Sequence, residues 1–122
     1  MSQRLFLAVA GLGGAVCVAA DATATHLLAD PQRLAFAATA ARYGLIHAVA
    51  LLAVGLLIAR GNAAWLTLAG WLFVAGIVLF CGSLDLLAMG APHGFAIAAP
   101  WGGTAFILGW LAVLIAALRG KS

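Results

Sequence analysis

Charge is nearly absent from long stretches of this chain, and that limits its fold more than any other feature. Six Lys or Arg and three Asp are the charged residues among 122, and 66% of the residues are hydrophobic. A soluble domain carries about a quarter charged residues. A bilayer's hydrocarbon core is about 30 Å thick and a helix rises about 1.5 Å per residue, so a span needs roughly 20 apolar residues. The chain divides into four such stretches, approximately 5–28, 43–59, 64–89 and 95–118, separated by polar turn signals. The fold class that follows is all-α: a bundle of four transmembrane helices forming one integral membrane domain over 1–122, with the lipid bilayer as its first partner.

Within that frame the chain reads in order. Arg4, an apolar run, and the small-residue triplets Val18-Ala19-Ala20 and Ala22-Thr23-Ala24 imitate a secretory signal. The segment is expected to be retained as the first span, with Gly14 and its alanine neighbours letting another helix approach closely. Asp30-Pro31 is a strong start signal, a carboxylate that caps free amides ahead of a proline suited to the first helical position. Unbroken from Pro31 to Ala59, that helix would be about 43 Å long, more than the hydrocarbon thickness. Gly44 is therefore expected to bend it, leaving a short interfacial helix over 31–42 before the second span. Arg60-Gly61-Asn62 makes a polar turn, and Gly90 to Gly94 makes another. Pro100, Gly102 and Gly103 are expected to interrupt the fourth span early, and Arg119 and Lys121 to stop transfer. Arg4, Arg60, Arg119 and Lys121 gather at one face and Arg33 and Arg42 at the other, which places both termini in the cytoplasm.

The polar residues inside the spans are the candidate site. Depth counting brings Asp21, His26, Arg42, Tyr43, His47, Ser83 and Asp85 to the outer half of the bilayer or its interface. Ionisable groups are costly there, so Arg42 is expected to pair with Asp85 or Asp21 in a network that fixes helix register. The alternative is the entrance of a proton or ion pathway. His26 and His47 on separate spans suit either a bis-imidazole haem or plain interhelical hydrogen bonds. Cys17 and Asp21 stand four residues apart, and so do Cys81 and Asp85. A metal site from those four is chemically conceivable but is not the reading adopted, and no cofactor is assigned. The scattered basic residues form no nucleic-acid surface. No nucleophile stands beside a base in a recognisable motif, and Gly11-Leu12-Gly13-Gly14 inside a span cannot act as a phosphate loop without breaking that span's hydrogen bonds. Catalysis by this chain alone is not expected.

Several blocks also carry a resemblance. They are Asp21-Ala22-Thr23-Ala24-Thr25-His26, Tyr43 and His47 in RYGLIHAVALL, Gly76 to Ala88 in GIVLFCGSLDLLA, and Pro100-Trp101-Gly102-Gly103 followed by Gly109-Trp110. In this order they resemble the YgdD-like small membrane proteins, also catalogued as domain of unknown function 423. The resemblance implies a four-helix integral protein of bacterial plasma membranes, with relatives in mitochondria, and supplies no activity. Against the family pattern, Asp21 stands for a glycine, Asp85 for a tyrosine and Arg42 for an acid, which suggests exchanged ion pairing. The functional expectation is a noncatalytic accessory or assembly component that packs against itself or a larger membrane complex. The alternatives are a small transporter or channel using the polar cluster, or a haem- or quinone-binding subunit.

Overall fold

The computed structural model describes residues 2–119 and resolves them into four rods. Helix α1 covers Ser2–Leu27 and α2 covers Pro31–Leu57. The third rod is composite: α3 (Ala63–Gly76), one π-helical turn (Ile77–Cys81) and α4 (Gly82–Ala88). A 3-10 turn, His93–Ile97, leads into α5 (Ala98–Arg119). The rods are 25, 27, 26 and 27 residues long over their apolar parts, enough for each to cross a membrane. Lys121 lies outside the described residues.

Each connection is stabilised by local chemistry. Asp30 caps α2 by accepting a 3.1 Å hydrogen bond from the Gln32 amide, with Pro31 at the first helical position. At the end of α4, Gly90 adopts φ 96°, the Ala91 amide donates to the Leu86 carbonyl and the Gly90 amide to that of Leu87. This is a Schellman ending, which needs glycine at the left-handed position. Arg33 completes it: its Nε, from the first turn of α2, donates to the Ala88 carbonyl at 2.7 Å. The sequence marked Arg33 only as a topology signal. At the opposite end, the Arg119 guanidinium lies 5.9 Å from the Trp65 ring centroid.

Two expectations about backbone breaks are corrected. Helix α2 continues unbroken through Gly44, so no separate interfacial helix over 31–42 is seen and its residues are the first three turns of the second rod. Gly44 is buried where α1 and the third rod converge: a Cβ there would clash with the Cys17 Sγ and stand 3.3 Å from the Cys81 Sγ. The glycine thus serves close approach, and packing on both sides outweighs its poor helix propensity. Pro100 likewise does not interrupt the fourth rod. It is the third residue of α5, in the first turn, where its missing N–H has no intrahelical partner to lose.

Phenylalanines seated on glycines hold the rods together. The ring of Phe6 packs over Gly70, Phe106 over Gly76 and Phe73 over Gly109, each where a Cβ would collide. Phe6, Phe73 and Leu51 have no exposed surface. Lipid gives no hydrophobic push between helices, so this fit of large into absent side chains supplies the cohesion. Helix α2 is the central rod, with 50% of its most apolar stretch buried against 17% for α1. Helix α1 packs chiefly on α2 and leaves most of its surface uncovered. Gly14 faces outward there, as do Gly11 and Gly13, with no atom within 4 Å of an added Cβ.

Candidate functional site

The expected single polar cluster separates into two centres and several isolated residues. The first centre surrounds His47, which is 4% exposed. Its Nδ1 donates to the Tyr43 carbonyl at 2.6 Å, and its Nε2 accepts from the Trp110 Nε1 at 3.0 Å. An indole N–H can only donate, so the ring must be the neutral tautomer protonated at Nδ1. Phe106 stacks on it at 3.6 Å between centroids, and Phe73 meets it edge-on at 5.5 Å. Tyr43 continues the aromatic row by an edge contact to Phe80. The centre therefore ties α2, α3 and α5 together midway along the rods.

Both nitrogens of His47 are engaged, which leaves no lone pair for a metal or haem iron. The bis-imidazole arrangement with His26 also does not form. His26 is exposed in the last turn of α1, while His47 lies sixteen residues into α2, roughly 20 Å deeper along the bundle. Sequence reasoning set His47 at the site but missed its partner. The usable signal was a tryptophan inside a span, remote from the interfacial belt, whose N–H needs an acceptor as much as a buried imidazole needs a donor.

The second centre lies nearer the α1–α2 connection. Cys17 and Cys81, both buried free thiols, converge on Gly44 from α1 and the π turn. One turn further toward that connection, Asp21 and Asp85 lie within electrostatic reach of one another. The cysteines of the two Cys/Asp pairs seen in sequence thus meet, with the two acids nearby. Among the described residues they do not form a group of three or more ligands arranged for a metal ion. Juxtaposed thiols give a direct test of the packing: oxidation of the full chain in membranes should couple Cys17 to Cys81, seen by peptide mapping as one linked fragment and loss of both free thiols. Two thiols that stay separately alkylatable after exhaustive oxidation would contradict the contact.

Arg42 does not join this centre. Gly44, two residues deeper, packs level with Cys17 and Cys81, so Arg42 lies only about 3 Å deeper than Asp21 and Asp85 and is kept from them by its direction around α2. Arg42 is exposed on the outer face of α2, and the charged neighbour acting on Asp85 is an acid, Asp21. The expected intrachain ion pair is therefore corrected: among the described residues Arg42 bonds neither acid. Ser83 is buried and spends its hydroxyl on the Phe80 carbonyl at 3.0 Å, inside the π turn. Gly102 is buried against the Phe80 backbone, and Gly103 faces the edge of the same ring.

Asp85 also lines a cavity of about 410 Å³ between α1, α2 and α4, whose other walls are nearly all apolar. On the far side of α2, a shallower apolar groove of about 590 Å³ runs beside Trp110.

Four apolar rods around a saturated aromatic centre, with acids and a base held apart, define a small polytopic membrane protein. The family model described as "Protein of unknown function (DUF423)" matches residues 20–103. The chain is 36% identical to a UPF0382 membrane protein of Haemophilus influenzae, covering 98% of both chains. It is 30% identical to the UPF0382 inner membrane protein YgdD of Escherichia coli K12, over 99% of this chain and 95% of that one, and 33% identical to a UPF0382 membrane protein of Staphylococcus epidermidis. The chain belongs to the DUF423 family of membrane proteins. No solved structure matches it.

Proposed function

We propose that this chain is a noncatalytic assembly component of the bacterial plasma membrane that packs against copies of itself, alone or within a larger complex. Arg42 is the observation that carries the reading. It is exposed, about three turns inside a membrane-crossing rod, and bonds no acid of its own chain. An arginine near the bilayer centre costs roughly 2.5–3.5 kcal/mol on insertion scales, less near the surface, so a partner or a route to the interface is needed.

A second copy offers that partner. Arg42 shares an outer stripe of α2 with Ala35, Ala38, Val49 and Ala53, and the apolar groove beside Trp110 continues the same face. On α1, Gly11, Gly14, Val18, Asp21 and Thr25 recur at three- and four-residue spacing along a thin, uncovered face. In a parallel neighbour the glycines of α1 reach the depth of that groove. Asp21 then lies about 3 Å shallower than Arg42, a gap that a long side chain spans as it reaches toward the interface. Both termini lie in the cytoplasm in this reading, supported by Arg4, Arg60 and Arg119 at the end opposite Arg33 and Arg42.

Charge reversal tests it. Protein in mild detergent, its mass measured by light scattering, should be oligomeric; Asp21→Arg and Arg42→Asp should each release monomer, and the double reversal should restore the oligomer. A wild type monomeric both in detergent and in cross-linked native membranes would overturn the reading, as would single reversals without effect.

A further inference from the structure

We propose that the cavity between α1, α2 and α4 binds a small lipophilic monocation, an apolar body carrying one protonated amine or other onium centre, with Asp85 as its counter-charge. The cavity is distinct from the assembly face, but Asp21 neighbours Asp85, so monomer for comparison is taken from Arg42→Asp and not from Asp21→Arg.

The argument starts from what the walls can and cannot satisfy. The cavity measures about 410 Å³, within the range that holds drug-sized ligands. Val16, Ala20, Ala24, Leu28 and Ala37 make it apolar, and Asp85 is its ionisable lining residue. Thr23, also in the wall, has its hydroxyl committed to the Ala19 carbonyl at 2.7 Å. Among the described residues none donates a hydrogen bond to the Asp85 carboxylate. Its charged and titratable neighbours are Asp21 and Cys17 on α1 and Cys81 on the π turn, none of them a cation. From α2, Arg33 turns instead to the Ala88 carbonyl and Arg42 faces outward.

An acid in such surroundings selects its occupant by charge and by surface. An acyl chain or any neutral apolar molecule would fill the volume and leave the carboxylate facing another acid across hydrocarbon. A bare metal ion would find too few ligands, because no group of three His, Cys, Asp or Glu among the described residues is arranged for one. A cation with an apolar body matches both features, since its charge meets Asp85 in a medium of low dielectric and its body replaces lipid against alanine and leucine. The α1 wall belongs to the least covered rod, so the ligand enters sideways from the bilayer. A proton competes for the same carboxylate, and occupancy therefore falls as the medium is acidified.

The experiment measures equilibrium binding of tetraphenylphosphonium to the full-length chain in lipid nanodiscs. Expected are saturable binding, weakening on acidification, and at least about a tenfold loss in Asp85→Asn, as when one partner of a desolvated charge pair is removed. Ala20→Leu, which fills the cavity and keeps the acid, should abolish binding with helicity and elution unchanged, and it decides the matter if Asp85→Asn does not fold. Absence of saturable binding would overturn the proposal. So would equal binding by both variants, or equal competition by an uncharged molecule of the same shape, which would show a lipid pocket with no use for its acid. Oligomeric and monomeric preparations should bind alike, so failure here is separable from failure of the assembly reading.

Discussion

Gly102→Ala should destabilise the bundle by about 2–3 kcal/mol, while the same change at the next residue, Gly103→Ala, should stabilise it slightly, by up to about 1 kcal/mol. A Cβ on Gly102 would overlap the backbone of Phe80, being 2.7 Å from its Cβ and 2.8 Å from its Cα. Backbone inside a packed rod cannot step aside as a flexible side chain can, so α5 must move away from the π turn. Overpacking of this kind typically costs 1–3 kcal/mol. At Gly103 the nearest atom is a ring carbon of Phe80 at 3.8 Å, an ordinary contact. The better helix propensity of alanine, worth up to about 1 kcal/mol, then applies with little opposing it. Thermal unfolding in detergent, followed by circular dichroism, would show the contrast. Equal midpoints for the two variants would mean that α5 does not lie as close to Phe80 as described.

His47→Leu should cost about 2–4 kcal/mol, even though leucine is the more lipid-soluble side chain. The change strands the Trp110 N–H and frees the Tyr43 carbonyl at once, and it also removes the ring stacked on Phe106. Leaving a buried donor unpaired costs about 1–3 kcal/mol, and loss of the aromatic contact adds about 0.5–1.5 kcal/mol. Trp110 is 46% exposed, so Trp110→Phe, which removes the donor without stranding it, should cost less. In the double variant the two losses should fall short of their sum, because the shared hydrogen bond can be broken only once. Additive losses would place His47 and Trp110 in separate interactions. Because both ring nitrogens are already engaged, the absorption of the purified protein should not change on adding haem in a way that His47→Leu removes.

The four rods were legible because their signals are local and redundant. Apolar length fixes a span, Asp30-Pro31 marks a start, and Gly90 marks an ending. What failed did so because a residue's meaning changes when it is covered. Gly44 reads as a hinge in isolation, but it is the point where two cysteine-bearing helices press in on an unbroken helix. Pro100 reads as a break until the helix is seen to begin two residues earlier. Arg42 lies within about 3 Å of the depth of the acids but sits on the exposed face of α2, a direction that spacing alone does not reveal. His47 was found because it is conspicuous in a span. Its partner was overlooked because a tryptophan in a membrane protein is usually credited to the interface. The convergence of Cys17 with Cys81, and of Asp21 with Asp85, was visible only as two matching intervals whose mutual orientation no spacing reveals.

The π turn at Ile77–Cys81 has one further consequence. Such a turn accommodates an extra residue within an otherwise regular helix, and each residue of an α-helix advances the azimuth by about 100°. Everything from Gly82 onward is therefore rotated by that amount from where an uninterrupted rod would have aimed it, Asp85 included. A sibling chain lacking one residue there would be as greasy, as long and as helical, yet its acid would look toward a different neighbour. Lineages that differ by a single deletion in this short segment should therefore differ in what their half-buried carboxylate meets, while hydropathy alone would score them as equals.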